Sequence, residues 1–451
     1  MPLASLARWT PGYFTVSLAA LLLAQALMVT GLGHPAAPLR APETLLVVHL
    51  VLIGWLSLAM AGALLQFVPV LIARPLAHPG LAAPALAALA SGAGLLCAAF
   101  AVLAGWLDAP LDLFLPVAAL LLTGVLLLAL MLARTIAGEH AAGSVAGFVL
   151  GGLACLIAAA ATGSGFAVLL AGRADWLAAL DWPGDRVPLH AMLGIGGWLG
   201  LVTLGVSYRL FAMFMLAPDG AVRQGRRIMA LGAAGFGAIL AGLSGLAPAP
   251  LAATAASVLF AAMIALYACD LVALHRQRRR KRLELNMSAS LPALAALALG
   301  AAMLPPALLT QAGEPVVAAT GFLLVFGWLT GLTLAQLVRI VPFITWIEVY
   351  APVLGHRPVP RIEDLLAARR ARLWFSLYHA GVAAGTLALL LAQPLAFRAA
   401  MALGLAGTLG IVVELVRARR LAAIADAGCR RPSLIVTSAP QRTQAHAAGP
   451  A

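Results

Sequence analysis

The sequence contains few charged residues. Aspartate, glutamate, lysine and arginine make up 10% of its 451 residues, whereas hydrophobic residues make up 63%. Soluble domains carry roughly 25% charged residues, so the composition excludes an ordinary soluble protein and indicates a chain that crosses a membrane many times. The formal net charge of +13 would favour nucleic acid as the partner of a soluble protein. Here we attribute it to membrane topology, and we expect membrane lipid but no nucleic acid among the partners.

Cysteine is also scarce, and its spacing excludes two kinds of site. The four cysteines, Cys97, Cys155, Cys269 and Cys429, form no CxxC pair. The sequence therefore indicates neither a disulfide framework nor a zinc knuckle.

Long hydrophobic runs are abundant. A helix of roughly 20 apolar residues crosses the hydrocarbon core of a bilayer, which is about 30 Å thick. Twelve runs reach this length, so the sequence predicts an all-α membrane protein with twelve transmembrane helices. The runs cover residues 13–33, 44–73, 81–106, 112–134, 144–171, 187–216, 228–247, 250–274, 290–312, 316–346, 373–392 and 396–416.

The basic residues are distributed unevenly between the two sides of the predicted membrane. Cytoplasmic loops are enriched in lysine and arginine. If the N-terminus is cytoplasmic, all but four of the 29 basic residues lie on the cytoplasmic side. The sequence therefore predicts a multi-pass protein of the bacterial inner membrane with both termini in the cytoplasm. The four exceptions are Arg40, Arg173, Arg186 and Arg398.

Three of the predicted helices, the second, sixth and tenth, share a Gly-Trp pair. Alignment on Trp55, Trp198 and Trp328 relates helices that are four apart in the chain, which indicates a repeated four-helix unit. We predict one transmembrane domain over residues 1–418, followed by a disordered cytoplasmic tail over residues 419–451. The three pseudo-equivalent units of the domain cover about residues 1–135, 136–285 and 286–418.

The repeat also aligns three polar residues. Gln66, Arg209 and Arg339 each lie eleven positions after the tryptophan, near the predicted inner end of the helix. An arginine there can extend its charged end to the membrane interface. Alternatively, these side chains face the interior of the bundle and fix helix ends or bind an anionic group. The sequence leaves both interpretations open.

Three histidines lie inside predicted helices, namely His49, His190 and His379. An ionisable residue in a membrane span is costly, and it indicates by default a functional position that faces the protein interior. Neutral imidazole is a common metal ligand. We predict His49 and His190, at similar depth in two copies of the repeat, as metal ligands, and His379 as a further cofactor ligand. The alternative is that each imidazole hydrogen-bonds a neighbouring helix and packs the bundle.

Together these features resemble a known fold. Twelve helices in three quasi-equivalent groups, with a histidine on helix 2, are similar to haem–copper oxidase subunit I. That family ligates a low-spin haem from helices 2 and 10, and it builds a haem–copper centre from histidines on helices 6, 7 and 10. The resemblance implies haem ligation by His49 and His190. However, helix 7 has no histidine, helix 10 has Thr320 and Phe322 at the corresponding positions, and Gly194 stands where the family has a tyrosine.

A closer resemblance is to the NnrS family of oxidase-like twelve-helix proteins. Helix 2 has the family's pattern of His49, Gly54, Gly62 and Pro69. Helix 6 has the family's His-x3-Gly-x-Gly motif. Leu50 stands where the family typically has a glutamate. The resemblance implies a haem, with copper as a second option, and other membrane redox subunits as partners. It also implies a non-respiratory role in the nitric-oxide response or in haem and copper handling.

Two other classes of function remain open. The chain could be a divergent NO or O2 reductase subunit with an unusual site made of His49, His190 and His379. The missing histidines of helices 7 and 10 argue against such an enzyme. The chain could also be a cofactor-free transporter whose polar interior residues form a substrate path.

Overall fold

The chain folds into helices throughout the part that the structure describes. This computed structural model describes residues 8–137, 143–173, 186–218, 224–309, 313–356, 358–422 and 432–437. Within these ranges eleven helices are long and apolar enough to cross a membrane. The chain is therefore an all-helical protein with the helices of a polytopic membrane protein.

Each predicted apolar run corresponds to one long helix. The helix over Gly225–Leu243 is not among the eleven that satisfy the length and hydropathy of a span. The bounds are α1 Thr10–Thr30, α2 Pro42–Leu71, α3 Ala82–Leu103, α4 Phe114–Ile136, α5 Gly143–Leu170, α6 Arg186–Met215, α7 Gly225–Leu243, α8 Ala249–Arg276, α9 Leu285–Leu309, α10 Glu314–Val349, α11 Ala368–Leu390 and α12 Pro394–Arg419.

Proline and glycine determine several helix ends. Pro42 and Pro394 are the first residues of α2 and α12. Proline lacks a backbone N–H, but the first N–H of a helix makes no hydrogen bond within the helix, so none is lost. Gly31 ends α1 in a left-handed conformation with φ +94°, which glycine adopts without steric cost. Pro69 and Pro342 lie inside α2 and α10, near the predicted inner ends.

The helices of the Gly-Trp repeat share an irregular backbone. In α2, α6 and α10 the middle of the helix is π-helical, over Leu50–Ser57, Met192–Gly200 and Leu323–Thr330. Each segment ends two residues after its tryptophan. Short π-helical segments within α-helices are rare and frequently occur at functional sites. The sequence similarity of the three helices is therefore matched by a backbone similarity.

The repeat helices lie deep in the bundle. In the most apolar windows of α10 and α2, 67% and 61% of the residues are buried, the highest shares among the eleven spans. The side chains of Trp55 and Trp198 are almost fully buried. Outer helices such as α8, with 28% buried, surround them. The centre of the molecule is thus built from the repeat.

An ion pair joins α12 to α10 at the predicted inner end. The Arg419 guanidinium lies 2.6 Å from the Glu348 carboxylate, and each side chain is only 4% exposed. Arg419 Nε also donates a hydrogen bond to the Ser433 carbonyl at 2.8 Å. A buried guanidinium needs both a counter-charge and acceptors for its remaining N–H groups. The chain after α12 supplies part of that requirement.

Part of the predicted disordered tail packs against α1. Thr15 Oγ1 donates to the Leu434 carbonyl at 2.7 Å, and the Thr437 amide donates to the Arg8 carbonyl at 2.9 Å. The stretch 432–437 thus has partners on α1, on Arg8 and on the buried Arg419. The tail residues 423–431 and 438–451 lie outside the described part of the chain.

We expect Gly407→Ala to destabilise the protein, because α11 and α12 touch through their backbones there. A Cβ at Gly407 would lie 2.5 Å from the backbone nitrogen of Tyr378, and overpacking of this kind costs about 1–3 kcal/mol. Gly404→Ala is the matched control one turn away, since its Cβ would meet only Gln25 Nε2 at 3.8 Å. Thermal unfolding in detergent measures both. Equal midpoints for the two variants would contradict the close crossing.

Candidate functional site

His49 lies directly before the π-helical segment of α2. Its Nδ1 is 2.8 Å from the carbonyl oxygen of Leu45. A carbonyl oxygen only accepts hydrogen bonds, so Nδ1 carries the proton and Nε2 keeps its lone pair. Histidines that bind metals are typically held in this way, with the second nitrogen donating to a carbonyl or carboxylate.

His190 is hydrogen-bonded through the same ring nitrogen, but to a different partner. It lies two residues before the π-helical segment of α6, and its Nδ1 is 3.1 Å from Thr162 Oγ1 of α5. The Thr162 hydroxyl itself donates to the carbonyls of Ala158 and Ala159, each at 3.0 Å. If the hydroxyl proton is directed to these carbonyls, its oxygen accepts the proton of His190 Nδ1, and in that tautomer Nε2 keeps its lone pair.

The structure brings the two predicted metal ligands together. The ring centroids of His49 and His190 are 6.3 Å apart, with 29° between the ring planes. The two imidazoles are thus close neighbours, and His49 and His190 would be the residues that hold one metal ion between these helices. Among the described residues no group of three or more His, Cys, Asp or Glu side chains forms a metal site.

Aromatic side chains surround the histidine pair. Phe100 of α3 lies 5.2 Å from the ring centroid of His49, and Phe166 of α5 lies 5.8 Å from that of His190, edge to face. Beneath His190, a Cβ at Gly163 would be 3.1 Å from Cε1 of the imidazole. A side chain at Gly194, by contrast, would meet no other atom within 4 Å. The pair therefore has an aromatic ring beside each imidazole.

His379 lies elsewhere in the bundle. Its ring lies beside the backbone of Ala289 in α9, and its Cε1 would be 3.0 Å from a Cβ at Gly331 in α10. The ring contacts of His379 are with Phe375 and Tyr378, its neighbours on α11. Within the described residues its Nε2 is buried and has no hydrogen-bond partner. The structure thus groups His379 with α9 and α10, and not with the histidine pair.

The three aligned polar positions have different surroundings. Arg339 Nε lies 3.2 Å from the Glu284 carboxylate, and the Arg339 side chain is 18% exposed. Its guanidinium also lies over the Phe214 ring of α6, 5.8 Å from the centroid. Arg339 therefore faces the protein and connects α10 to α6 and to the start of α9. Arg209 is exposed, and Gln66 is half-buried.

Hydrogen bonds connect the repeat helices through the tryptophan triangle, by which we mean Trp55, Trp198 and Trp328. Trp55 Nε1 donates to Thr330 Oγ1 at 3.0 Å, and this bond joins α2 to α10. Trp198 Nε1 donates to Ser57 Oγ at 3.0 Å and joins α6 to α2. We did not predict these hydroxyls from the sequence. Their signal was present in the repeat, because each lies two residues after a tryptophan.

A second buried polar cluster lies between α6 and α8. Asp270 is 4% exposed, and its carboxylate accepts hydrogen bonds from Tyr208 Oη and the Gln224 amide, both at 3.1 Å. Beside it, the hydroxyls of Ser207 and Tyr267 are 2.7 Å apart. This cluster was not predicted from the sequence, because hydroxyl pairing across helices depends on which helix faces meet.

Comparison with known proteins adds no relative: no protein-family model matches the chain, and no curated protein does.

We expect Thr330→Val to destabilise the protein, since it removes the acceptor of Trp55 Nε1 while keeping the shape of the side chain. A buried donor without a partner costs about 1–3 kcal/mol. Thr386→Val on α11 is the control, because that hydroxyl bonds only its own helix at Val382. Thermal unfolding compares the two. The double variant Thr330→Val/Trp55→Phe should recover part of the loss, and no difference between the two single variants would count against the bond.

Proposed function

We propose that the chain is a haem-binding membrane protein whose haem ligands are His49 and His190. The observation that supports this most directly is the proximity of the two imidazoles, whose ring centroids are 6.3 Å apart, with an aromatic ring beside each. Copper, which imidazole also suits, is the second option for the same pair. The proposal includes kinship with haem–copper oxidase subunit I and with the NnrS family, on the resemblance of α2 and α6.

The proposed architecture has twelve spans, with α7 as the seventh, in three four-helix units. The units cover about residues 1–135, 136–285 and 286–418. Two features support it. The π-helical segments occupy matching positions in α2, α6 and α10. The tryptophan bonds also run in one direction around the centre, from α6 to α2 and from α2 to α10.

Residues of this chain would orient the two haem ligands and surround the haem. A bound haem supplies an iron that exchanges single electrons or binds small ligands. The Leu45 carbonyl and the Thr162 hydroxyl fix the tautomer and orientation of His49 and His190. Phe100 and Phe166 each place an apolar ring against one of the two imidazoles. The resemblance adds a non-respiratory role in the nitric-oxide response or in haem and copper handling.

We assign the protein to the bacterial inner membrane, with both termini in the cytoplasm and membrane lipid around it. The clustering of basic residues at one end of the bundle supports this orientation. Arg339 and Arg280 both pair there with Glu284, and Arg370 pairs with Glu414. Other redox subunits of the membrane are the proposed protein partners.

A visible spectrum tests the haem proposal. Protein purified in detergent from haem-replete cells should show a Soret band, and His49→Ala or His190→Ala should abolish it. His275→Ala, at an exposed position at the end of α8, should leave the band unchanged. His379→Ala should also keep it, because His379 contacts other helices. A colourless wild-type protein would overturn the proposal and leave the transporter alternative.

Thr162→Val should weaken haem binding without removing a ligand. Loss of the hydrogen bond to His190 Nδ1 frees the ring to rotate, and loss of such an outer partner typically lowers metal affinity about 10–100-fold. Ser164→Ala on the same helix is the control, because that hydroxyl bonds only the Ala160 carbonyl. Haem titration of the apoprotein measures both variants. Wild-type affinity in Thr162→Val would exclude His190 as an oriented ligand.

A further inference from the structure

The helix α8 has an exposed stripe that runs along its length and ends in an arginine. Among the eleven spans, α8 has the smallest buried share, 28%. Its exposed residues recur every three or four positions, so they lie on one face of the helix. They include Val258, Ala261, Ala265, Cys269, Val272 and Arg276. In a membrane, this apolar stripe faces the acyl chains of lipids, and Arg276 lies one turn beyond its last apolar residue.

The chain becomes strongly basic at the end of this stripe. Six of the seven residues from 276 to 282, which we call the basic segment, are arginine or lysine. Four of these side chains are exposed, namely Arg276, Arg279, Lys281 and Arg282. A cluster of basic residues directly after a membrane span is typical of a surface that attracts anionic lipid headgroups.

The basic segment is held against the helix ends. The Arg280 amide donates a hydrogen bond to the carbonyl of Met215, the last residue of α6, at 3.3 Å. The Arg280 guanidinium pairs with Glu284, and Arg278 Nη1 donates to the His275 carbonyl at 2.6 Å. The segment therefore stays beside the ends of α6 and α8, and its exposed side chains lie at the level of the lipid headgroups.

The start of α7 adds two exposed arginines to the same region. The Gln224 amide donates to the Asp270 carboxylate of α8 at 3.1 Å, which fixes the start of α7 beside α8. Asp270 lies six residues before Arg276, a distance of about 9 Å along the helix axis. Arg226 and Arg227, in the first turn of α7, are both exposed.

The carboxylates of this region do not cancel its positive charge. Within the described residues 224–228 and 270–285, the carboxylates are those of Asp270 and Glu284. Asp270 is only 4% exposed. The Glu284 side chain is 11% exposed, and it already pairs with Arg280 and Arg339. The exposed surface of the region is therefore cationic.

We propose that the basic segment and the start of α7 bind the phosphate headgroup of an anionic phospholipid, whose acyl chains lie along the exposed stripe of α8. Guanidinium groups suit this ligand because they form two parallel hydrogen bonds with a phosphate. An acidic protein in the cytoplasm would match the charge, but only a lipid also matches the apolar stripe that leads to Arg276. The inference does not depend on haem binding.

Native mass spectrometry of the full chain in detergent tests the site. Titration with phosphatidylglycerol, and separately with phosphatidylcholine of the same acyl chains, gives an affinity for each lipid. We expect the wild type to prefer phosphatidylglycerol. Each basic residue near an anionic headgroup raises the affinity about fivefold. The triple variant Arg276→Gln/Arg279→Gln/Arg282→Gln should therefore lose at least about tenfold of its affinity for phosphatidylglycerol, with little change for phosphatidylcholine.

The triple variant Arg369→Gln/Arg372→Gln/Arg417→Gln is the matched control. It removes the same number of charges from exposed positions of α11 and α12 at the same end of the bundle, and it should keep the wild-type preference. Because all six positions are exposed, thermal midpoints near that of the wild type should accompany both results. A wild type without a lipid preference, or equal losses in the two triple variants, would overturn the proposal.

Two competitors separate a lipid from other anions. Glycerol phosphate carries the phosphate without acyl chains, and at the concentration of the lipid it should not displace phosphatidylglycerol. Displacement by glycerol phosphate would show a site for free phosphate and would overturn the lipid assignment. Poly-glutamate represents an acidic protein. Tighter binding of poly-glutamate than of phosphatidylglycerol, lost in the Arg276, Arg279 and Arg282 variant, would assign the surface to a protein partner instead.

Discussion

The constraint on which this structure depends is the absence of water from the hydrocarbon core, where each polar group must find its partner inside the protein. This requirement is hardest to meet in the π-helical segments, because there the regular hydrogen bonds between backbone carbonyls and amides are altered. Side chains compensate at these points. Tyr378 Oη donates to the Phe326 carbonyl at 2.6 Å, and Ser57 donates to the Leu52 carbonyl. The central helices are thus joined by hydrogen bonds at the places where their backbones are irregular.

The same constraint shapes the histidine pair. An imidazole within a bundle needs a partner for its N–H, and a local backbone carbonyl or a neighbouring hydroxyl provides it for His49 and His190. The hydrogen-bonding requirement of each imidazole is thus met close by, within α2 for His49 and by α5 for His190.

The sequence predicted the helices well, because length and hydropathy determine which segments can cross a bilayer, and each predicted run is helical. It also paired His49 with His190 by depth. It could not decide between the two orientations of Arg339, since that depends on Glu284 and Phe214 from other helices. The contacts of residues 432–437 were missed for a related reason. A polar segment without hydrophobic periodicity is predicted to be disordered. The hydrogen bond from the buried Arg419 to Ser433 forms only in the folded bundle, so the sequence does not indicate it.

The contact between α1 and the end of the chain has a consequence for biosynthesis. Thr15 bonds the carbonyl of a residue 419 positions later, and α1 also packs against α12. The packing of α1 can therefore be completed only after α12 and the stretch 432–437 have been translated. Until then, the polar residues Ser17 and Gln25 of α1, which are buried in the folded protein, lack their final packing partners. A chain cut short before α12 leaves α1 without these partners.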